Sequence, residues 1–397
     1  MMKIGIYQNV ITPYREELFR KISEHGLEVH MIIGGLAVNR PYWTKKGLSN
    51  QSNLFRKIFL NSTKFNLGGY VEYFTPGLLS LLREEKYDIV VIPFGMLTGP
   101  LLLYTAKRAD SLTVSGTGVS LFSLRLTRIA GEPIVRLCSL LSDNFLAYSE
   151  YAKRYLIREG ANPSKIVIIP NGVNIKKFNP KVQSKNLKQE LGVLNRKTIL
   201  FVGRLEREKG LEYLIKAMVL VKNYEKDAYL LVIGSGILER PLKRLVRKLG
   251  LTECVTFLGP VSSENMPLYY AICDVHVTPS IVTRTFIEPF GMVYIEAMAS
   301  GKPSIAFDIP AAVRDIIVNG ETGYLVPEKS VEALANKICE LLHDYEKRME
   351  MGKKARERVV NYYDMNIIAE KWIEAFRFFL REKESNERKV GGYIFHK

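Results

Sequence analysis

Short strand-like runs alternate with helical patterns along almost the whole chain. That alternation admits few architectures beyond parallel sheets joined by crossover helices. In the first half the strand-like runs are Lys3–Gln8, Glu28–Ile33, Asp88–Ile92, Leu112–Ser115, Phe145–Tyr148 and Ile166–Ile169. The helical stretch after the first run puts Leu18, Ile22 and His25 on one face. A second series opens at Thr198–Val202 and continues through Tyr229–Ile233, Val255–Leu258, Val275–Thr278 and Ser304–Phe307. Helices are expected over Leu211–Lys222, Pro241–Leu249, Met292–Ala299, Val331–His343 and Lys347–Tyr362. Between the two series, residues 171–194 lose regular periodicity, which places a domain break there. A length of 397 residues agrees, being too long for one small core. The expected division is 1–185, 186–364, and 365–397 as a final helix with a tail. That helix, Ile367–Leu380, carries Trp372, Phe376 and Phe379, and the basic residues after Glu382 are expected to fray. Residues Val38–Asn66 are basic and polar, fit neither pattern, and read as a mobile insertion.

Composition excludes several classes. With 47% apolar and 25% charged residues the chain is an ordinary globular one. Cys138, Cys254, Cys273 and Cys339 lack CxxC spacing and histidine partners, so they read as small buried hydrophobes in a reducing compartment. The start, MMKIGIYQNV, enters a strand directly, and no signal peptide is expected. The uncharged stretch Ile89–Ala106 contains Pro93, Gly95, Gly99 and Pro100, so it reads as strand, turn and helix rather than a membrane span. A cytoplasmic protein is therefore expected. Of the net charge of +16, residues 1–185 carry 25 Lys/Arg against 13 Asp/Glu, or +12, and residues 186–397 carry 32 against 28, or +4. An electropositive first half suits a phosphate-bearing substrate or an anionic membrane surface. No helix-turn-helix, zinc-finger or RNP pattern points to nucleic acid.

Chemistry concentrates in residues 279–301, PSIVTRTFIEPFGMVYIEAMASG. Glu288 and Glu296 stand there with seven residues between them. Glu288 lies in the loop and Glu296 about 7 Å along the helix that follows. Either alone would be an unremarkable cap or a solvated carboxylate. Glu296, however, lies among Met292, Val293, Ile295 and Met298, where a carboxylate needs partners. The loop ends at a helix N-terminus, whose free N–H groups favour phosphate. A sugar carried on a diphosphate would use both features.

This segment resembles the E-x7-E signature of retaining glycosyltransferases of family 4, which share the GT-B fold. The likeness extends in order through Phe201–Leu205 with Lys209-Gly210, Ile233–Gly236, Val255–Gly259 and Asn319–Val326. Upstream it includes Tyr148–Glu150 and Ile169–Val173. The resemblance implies an α/β chain of two Rossmann-like, doubly wound domains facing across a cleft, with the last helix crossing back to the first domain. It implies retaining transfer from a nucleotide sugar, with Glu288 at the donor sugar, Arg204 and Lys209 on the diphosphate, and Glu296 on the ribose hydroxyls. Gly234 and Gly236 then permit close backbone approach, Phe257 and Val261 flank the base, and the amides of Phe290, Gly291, Met292 and Val293 meet sugar or phosphate. No Asp-x-Asp pair or histidine cluster offers a metal site, and no cofactor is expected.

The chain departs from the family pattern in both domains. Residues 8–15, QNVITPYR, replace a Gly-Gly loop; residues 115–118, SGTG, stand where many members have histidine; and Ala311-Ala312 replaces a second Gly-Gly, with Asp315 following. On the acceptor side the candidates are Tyr14, Arg15, Thr117, Arg125 and Arg128. Residues 121–128, LFSLRLTR, mix apolar and basic side chains in the manner of a membrane-resting surface. The favoured acceptor is a glycan or lipid-linked glycan of polysaccharide biosynthesis, the enzyme being peripheral on the cytoplasmic membrane face. A sugar-nucleotide epimerase of the same fold, or a non-catalytic sugar-nucleotide-binding protein, stands as the alternative.

Overall fold

A computed structural model describes residues 1–8, 12–34, 55–67, 70–117, 125–284 and 286–394. The chain forms two compact units, Met1–Pro170 with Met365–Lys397, and Asn171–Asp364.

The first unit is built on β1 (Lys3–Gln8), α1 (Pro13–Glu24), β2 (Glu28–Gly34), β3 (Arg56–Leu60), β4 (Thr63–Leu67) and β5 (Tyr70–Phe74). It continues with α2 (Pro76–Glu84), β6 (Ile89–Pro93), α3 (Gly99–Arg108), β7 (Leu112–Thr117), α4 (Arg125–Leu141), β8 (Asn144–Ala147), α5 (Glu150–Arg158) and β9 (Ile166–Ile168). Seven strands form one sheet in the order β3-β2-β1-β6-β7-β8-β9, every neighbouring pair parallel. Strands β4 and β5 pair antiparallel as a separate ribbon. In β1 and β2 every residue after the first is buried, the mark of parallel strands covered on both faces. The uncharged stretch of residues 89–106 is indeed strand, turn and helix, β6 followed by α3.

Three expectations are corrected here. His25 is exposed beyond the end of α1, whose buried face is Leu18, Phe19 and Ile22. Within 38–66, residues 56–60 and 63–67 are strands; β3 is an edge strand whose exposed and half-buried alternation made it look like a polar insertion. Residues 38–54 lie outside the described ones. The last helix, Met365–Ile394, continues past Glu382 rather than fraying there.

The second unit holds α6 (Lys185–Glu190), β10 (Lys197–Val202), α7 (Leu211–Tyr224), β11 (Ala228–Ile233), α8 (Glu239–Lys248), β12 (Val255–Gly259), α9 (Met266–Ile272) and β13 (Val275–Val277). After these come α10 (Met292–Ala299), β14 (Ser304–Phe307), α11 (Val313–Ile316), β15 (Gly323–Val326), α12 (Val331–His343) and α13 (Tyr345–Tyr362). Its six strands run parallel in the order β12-β11-β10-β13-β14-β15. Residues 171–185, grouped from sequence with the first domain, pack in this unit. The Val173 amide donates to the Tyr363 carbonyl at 2.8 Å, and Arg356 donates to the carbonyls of Ile175 at 3.0 Å and Phe178 at 2.7 Å.

Helix α14 (Met365–Ile394) belongs to the first unit. Ile368, Trp372, Phe376 and Phe379 are buried on it at the three- and four-residue spacing of an amphipathic stripe. Trp372 meets Phe19 of α1 edge-on, with ring centroids 6.3 Å apart. Each such fully buried side chain contributes roughly 1.5–3 kcal/mol of transfer free energy.

Candidate active site

Strand order locates the site of the second unit. β10 is followed by β11 on one side and flanked by β13 on the other, so chain connectivity reverses between β10 and β13. Loops leaving the carboxyl ends of two such strands diverge, and the crevice between them is where α/β sheets hold ligands. Arg204 and Lys209 lie in the loop after β10; Ser280, Phe286 and Glu288 lie in the loop after β13.

The two loops are joined by charge. The Lys209 ammonium donates to Glu288 Oε2, which also accepts from the Ser280 hydroxyl at 3.3 Å. Both partners are largely withdrawn from solvent, with side-chain exposures of 14% and 10%. Arg204 donates to Glu206 and, at 2.7 Å, to Glu208 Oε1. Desolvation raises the Glu206 carboxyl's pKa, helped by its hydrogen bond with Glu208. The Arg204 guanidinium and the Lys209 ammonium lie 5.8 and 5.4 Å from the centroid of the Phe286 ring. One aromatic ring therefore contacts both cations.

Glu296 occupies a separate niche on α10. The Tyr270 hydroxyl of α9 donates to its Oε2 at 2.9 Å. Burial raises the Glu296 carboxyl above the ordinary range, while the Tyr270 bond and nearby Lys177 pull it down. Glu288 and Glu296 thus share no partner: one is bound by Lys209 and Ser280, the other by Tyr270. A carboxylate with one oxygen held by a phenol can still accept hydroxyl donors on the other.

The other residues expected on the donor side are placed as follows. Gly234 has φ +134°, and a Cβ there would lie 1.9 Å from the Gly203 carbonyl; one at Gly236 would lie 2.5 Å from the Leu205 carbonyl. Their backbones approach the Arg204 loop, which the Leu205 amide fastens by donating to the Ser235 carbonyl at 2.9 Å. Gly291, at φ +89°, caps α10, and Met292 and Val293 begin that helix half-buried. The Phe290 ring is buried against Tyr363 with centroids 6.2 Å apart. Phe257, half-buried on edge strand β12, lies under the Lys243 ammonium at 5.4 Å, and Val261 follows, half-buried.

In the first unit, Tyr14 and Arg15 open α1 at the carboxyl end of β1. Arg15 donates to the Tyr148 hydroxyl at 2.7 Å, its guanidinium carbon 5.1 Å from that ring and 5.9 Å from the Tyr14 ring. Burial opposes the Arg15 charge, but the Tyr148 and Tyr14 phenols carry its pKa above the ordinary arginine value. Thr117 ends β7, and Arg125 and Arg128 fall in the first turn of α4; their side chains, like residues 118–124, lie outside the described ones.

Sequence reasoning missed Tyr270, Phe286, Ser280 and Tyr148 as partners. Phe286 stands two residues before Glu288, but nothing in the letters marks it as the ring beneath two cations. Among the described residues, no group of three His, Cys, Asp or Glu side chains converges as a metal site, and no helix is long and apolar enough to cross a membrane. All four cysteines are free, three of them buried. His276, also fully buried, bonds Ser304 at 3.1 Å and Thr278 at 3.0 Å; burial lowers its pKa to about 3.

Comparison with known proteins agrees with this architecture. Residues 14–177 match the model of Glycosyltransferase Family 4, and residues 183–358 that of Glycosyl transferases group 1. An uncharacterized glycosyltransferase of Methanocaldococcus jannaschii is 32% identical over 217 residues, 54% of each chain, so the match spans about half that relative's length. The D-inositol 3-phosphate glycosyltransferase of Corynebacterium glutamicum is 30% identical over 309 residues, 72% of this chain and 71% of that one. The crystal structure of Anabaena HepE in complex with UDP and glucose superposes with a TM-score of 0.77 at 20% identity, covering 95% of this chain and 100% of that one. Two parallel doubly wound sheets of GT-B type, these family matches and these relatives lead to one conclusion: the chain belongs to the group 1, family 4 glycosyltransferases.

Proposed function

We propose that the chain moves a sugar from a nucleotide-sugar donor to a glycan or lipid-linked glycan acceptor, with retention of anomeric configuration and without a metal ion. The observation that carries the reading is the pairing of Lys209 with Glu288 beside Arg204 at the switch point of the second sheet. In this reading the two cations neutralise the leaving diphosphate, a stabilisation worth most in a withdrawn site. Glu288 orients the donor sugar, and Glu296 accepts the ribose hydroxyls. The acceptor hydroxyl attacks the anomeric carbon on the face that the diphosphate leaves. The bond from that carbon to the diphosphate oxygen breaks, and the hydroxyl proton passes to the departing phosphate. The Anabaena structure, which holds UDP and glucose, supports a nucleotide sugar as donor.

A peripheral membrane location is part of the same proposal. Leu101, Tyr104, Leu137 and Leu140 are exposed on the adjacent helices α3 and α4, beside exposed Lys107, Arg108 and Arg136. Flotation with anionic vesicles at low salt tests it, and protein left at the bottom of the gradient counts against it.

For the donor, a thermal-shift screen against UDP-, GDP- and ADP-sugars is decisive. A ligand at 100 times its Kd stabilises the native state by about 2.7 kcal/mol. A selective rise abolished by Arg204→Ala and Glu296→Ala identifies the nucleotide. No rise with any donor in folded protein removes the reading.

A further inference from the structure

The hydrogen bonds of Arg204 stay within its own loop. Its guanidinium donates to Glu206 and, at 2.7 Å, to Glu208 Oε1. Bonds of this kind travel with the loop. They aim the side chain, but they do not fix its distance from anything on the loop after β13. Lys209 differs, because its ion pair with Glu288 crosses from one loop to the other. Among the described residues, the contact that reaches Arg204 from the loop after β13 is the Phe286 ring. Its centroid lies 5.8 Å from the guanidinium carbon and 5.4 Å from the Lys209 ammonium.

The ring is itself held in place. Ile281 and Ile287, on either side of it in the chain, are buried. The Ile281 amide donates to the Glu208 carbonyl at 2.9 Å, and the Val282 amide to Glu328 Oε1 at 3.0 Å. The Thr283 amide closes a turn onto the Phe286 carbonyl at 3.0 Å. Gly210 permits the close approach of the two loops: at φ +65°, a Cβ there would lie 1.9 Å from the Pro279 carbonyl. Loops that meet at these points carry the ring and Arg204 as one body.

A ring suits this task better than a further carboxylate would. Glu206 and Glu208 already take hydrogen bonds from Arg204, and a third acidic partner would compete with a phosphate for the N–H groups that remain. An aromatic quadrupole attracts the cation without occupying those groups. The Arg204 side chain keeps 39% of its exposure, so it is steadied without being sealed off.

We infer that Phe286 is a positioning residue of the donor site, registering Arg204 against Lys209 and Glu288 so that both cations meet one diphosphate. The inference rests on the transferase reading above, in which the two cations neutralise the leaving diphosphate. Phe286 acts through Arg204 and takes no part in the chemistry itself.

Inorganic pyrophosphate, a diphosphate without nucleoside or sugar, is the probe, titrated by calorimetry into full-length protein. Arg204→Ala should weaken its binding at least about tenfold, the loss of one charge-assisted contact. Phe286→Leu should weaken it about 2–5-fold, the range for one partly exposed cation–π contact, and Phe286→Tyr, which keeps the ring, by less than about 1.5-fold. Phe286→Met is the second non-aromatic replacement and decides the matter if the leucine variant does not fold. Added to Arg204→Ala, Phe286→Leu should cause no further loss, because the cation it steadies is gone; added to Lys209→Ala, it should cause its full loss. A ring that merely fills space would weaken binding alike in every background. Equal losses in wild-type and Arg204→Ala protein, or a tyrosine variant as weak as the leucine one, therefore overturn the inference. Wild-type affinity in Phe286→Leu, with Arg204→Ala still weakened, overturns it too and leaves the diphosphate reading standing. No pyrophosphate binding by the wild-type protein, or binding indifferent to Arg204→Ala, removes the diphosphate reading, and the role of Phe286 goes with it.

Discussion

The Lys209 ammonium is bound to Glu288 Oε2, so a largely buried ion pair ties the loops after β10 and β13 together, beside the Ile281 amide donating to the Glu208 carbonyl at 2.9 Å. Removing one partner of such a pair leaves the other uncompensated, which is costlier than removing both. Lys209→Ala and Glu288→Gln should each lower kcat by about 10²–10³-fold, the range for loss of one transition-state-stabilising group. In the Glu288→Gln variant the ammonium is free to meet phosphate, so donor KM should change much less than kcat. Steady-state kinetics with the donor found by thermal shift checks both, and unaltered kcat in both removes the assignment.

Gly234 is fixed by its neighbour rather than by a ligand. At φ +134° with the Gly203 carbonyl 1.9 Å from the site of a Cβ, alanine cannot be accommodated unless the two loops separate. Gly234→Ala should cost about 2–4 kcal/mol, since strain at a glycine-only conformation adds to a backbone clash. Because the displaced loop carries Arg204, donor affinity should fall with it. Urea denaturation and donor titration of the same variant measure the two effects.

Much of this arrangement was legible in the letters, and the exceptions have physical causes. Glu288, Glu296, Arg204 and Lys209 stand in motifs whose spacing survives without three-dimensional information. The apolar runs that became β1, β2, β10 and β11 are buried on both faces, so their composition is unambiguous. Strand β3 is an edge strand reading RKIFL, and half-exposed edge residues look like loop. The helical end of α14 reads REKESNERKV over residues 381–390, polar but made largely of good helix formers, and polarity was mistaken for fraying. Tyr270 could not be found, because its link to Glu296 joins helices 26 positions apart.

His276 makes the second unit sensitive to acid. Its pKa is lowered to about 3 by burial, against an ordinary value of 6.5. Below pH 6.5 the unfolded chain binds a proton that the folded one refuses, so stability is lost as pH falls. The loss is about 1.4 kcal/mol per pH unit across the window from about 6.5 down to 3. Replacing His276 with asparagine should flatten that dependence, at the expense of stability at pH 7 where its bonds to Ser304 and Thr278 are weakened. Guanidinium melts at pH 7, 5.5 and 4.5 provide the comparison.

Glu296 titrates with the opposite consequence. Burial raises its carboxyl pKa, and the Tyr270 bond and Lys177 only partly offset this. A carboxyl whose folded pKa exceeds the unfolded one takes up its proton more readily when folded. It therefore adds stability below the unfolded pKa, and that contribution is lost as pH rises through the folded value. Glutamine, which never ionises, should accordingly raise the melting temperature at pH 7 and change it little at pH 4. Binding should move the other way. If the ionised carboxylate accepts the ribose hydroxyls, Glu296→Gln raises donor KM about tenfold, the equivalent of one charge-assisted hydrogen bond, and spares kcat. Wild-type donor KM should also rise as pH falls through the Glu296 pKa, and in Glu296→Gln it should not. A stabilised variant with unchanged donor KM would leave Glu296 a buried structural carboxylate held by Tyr270.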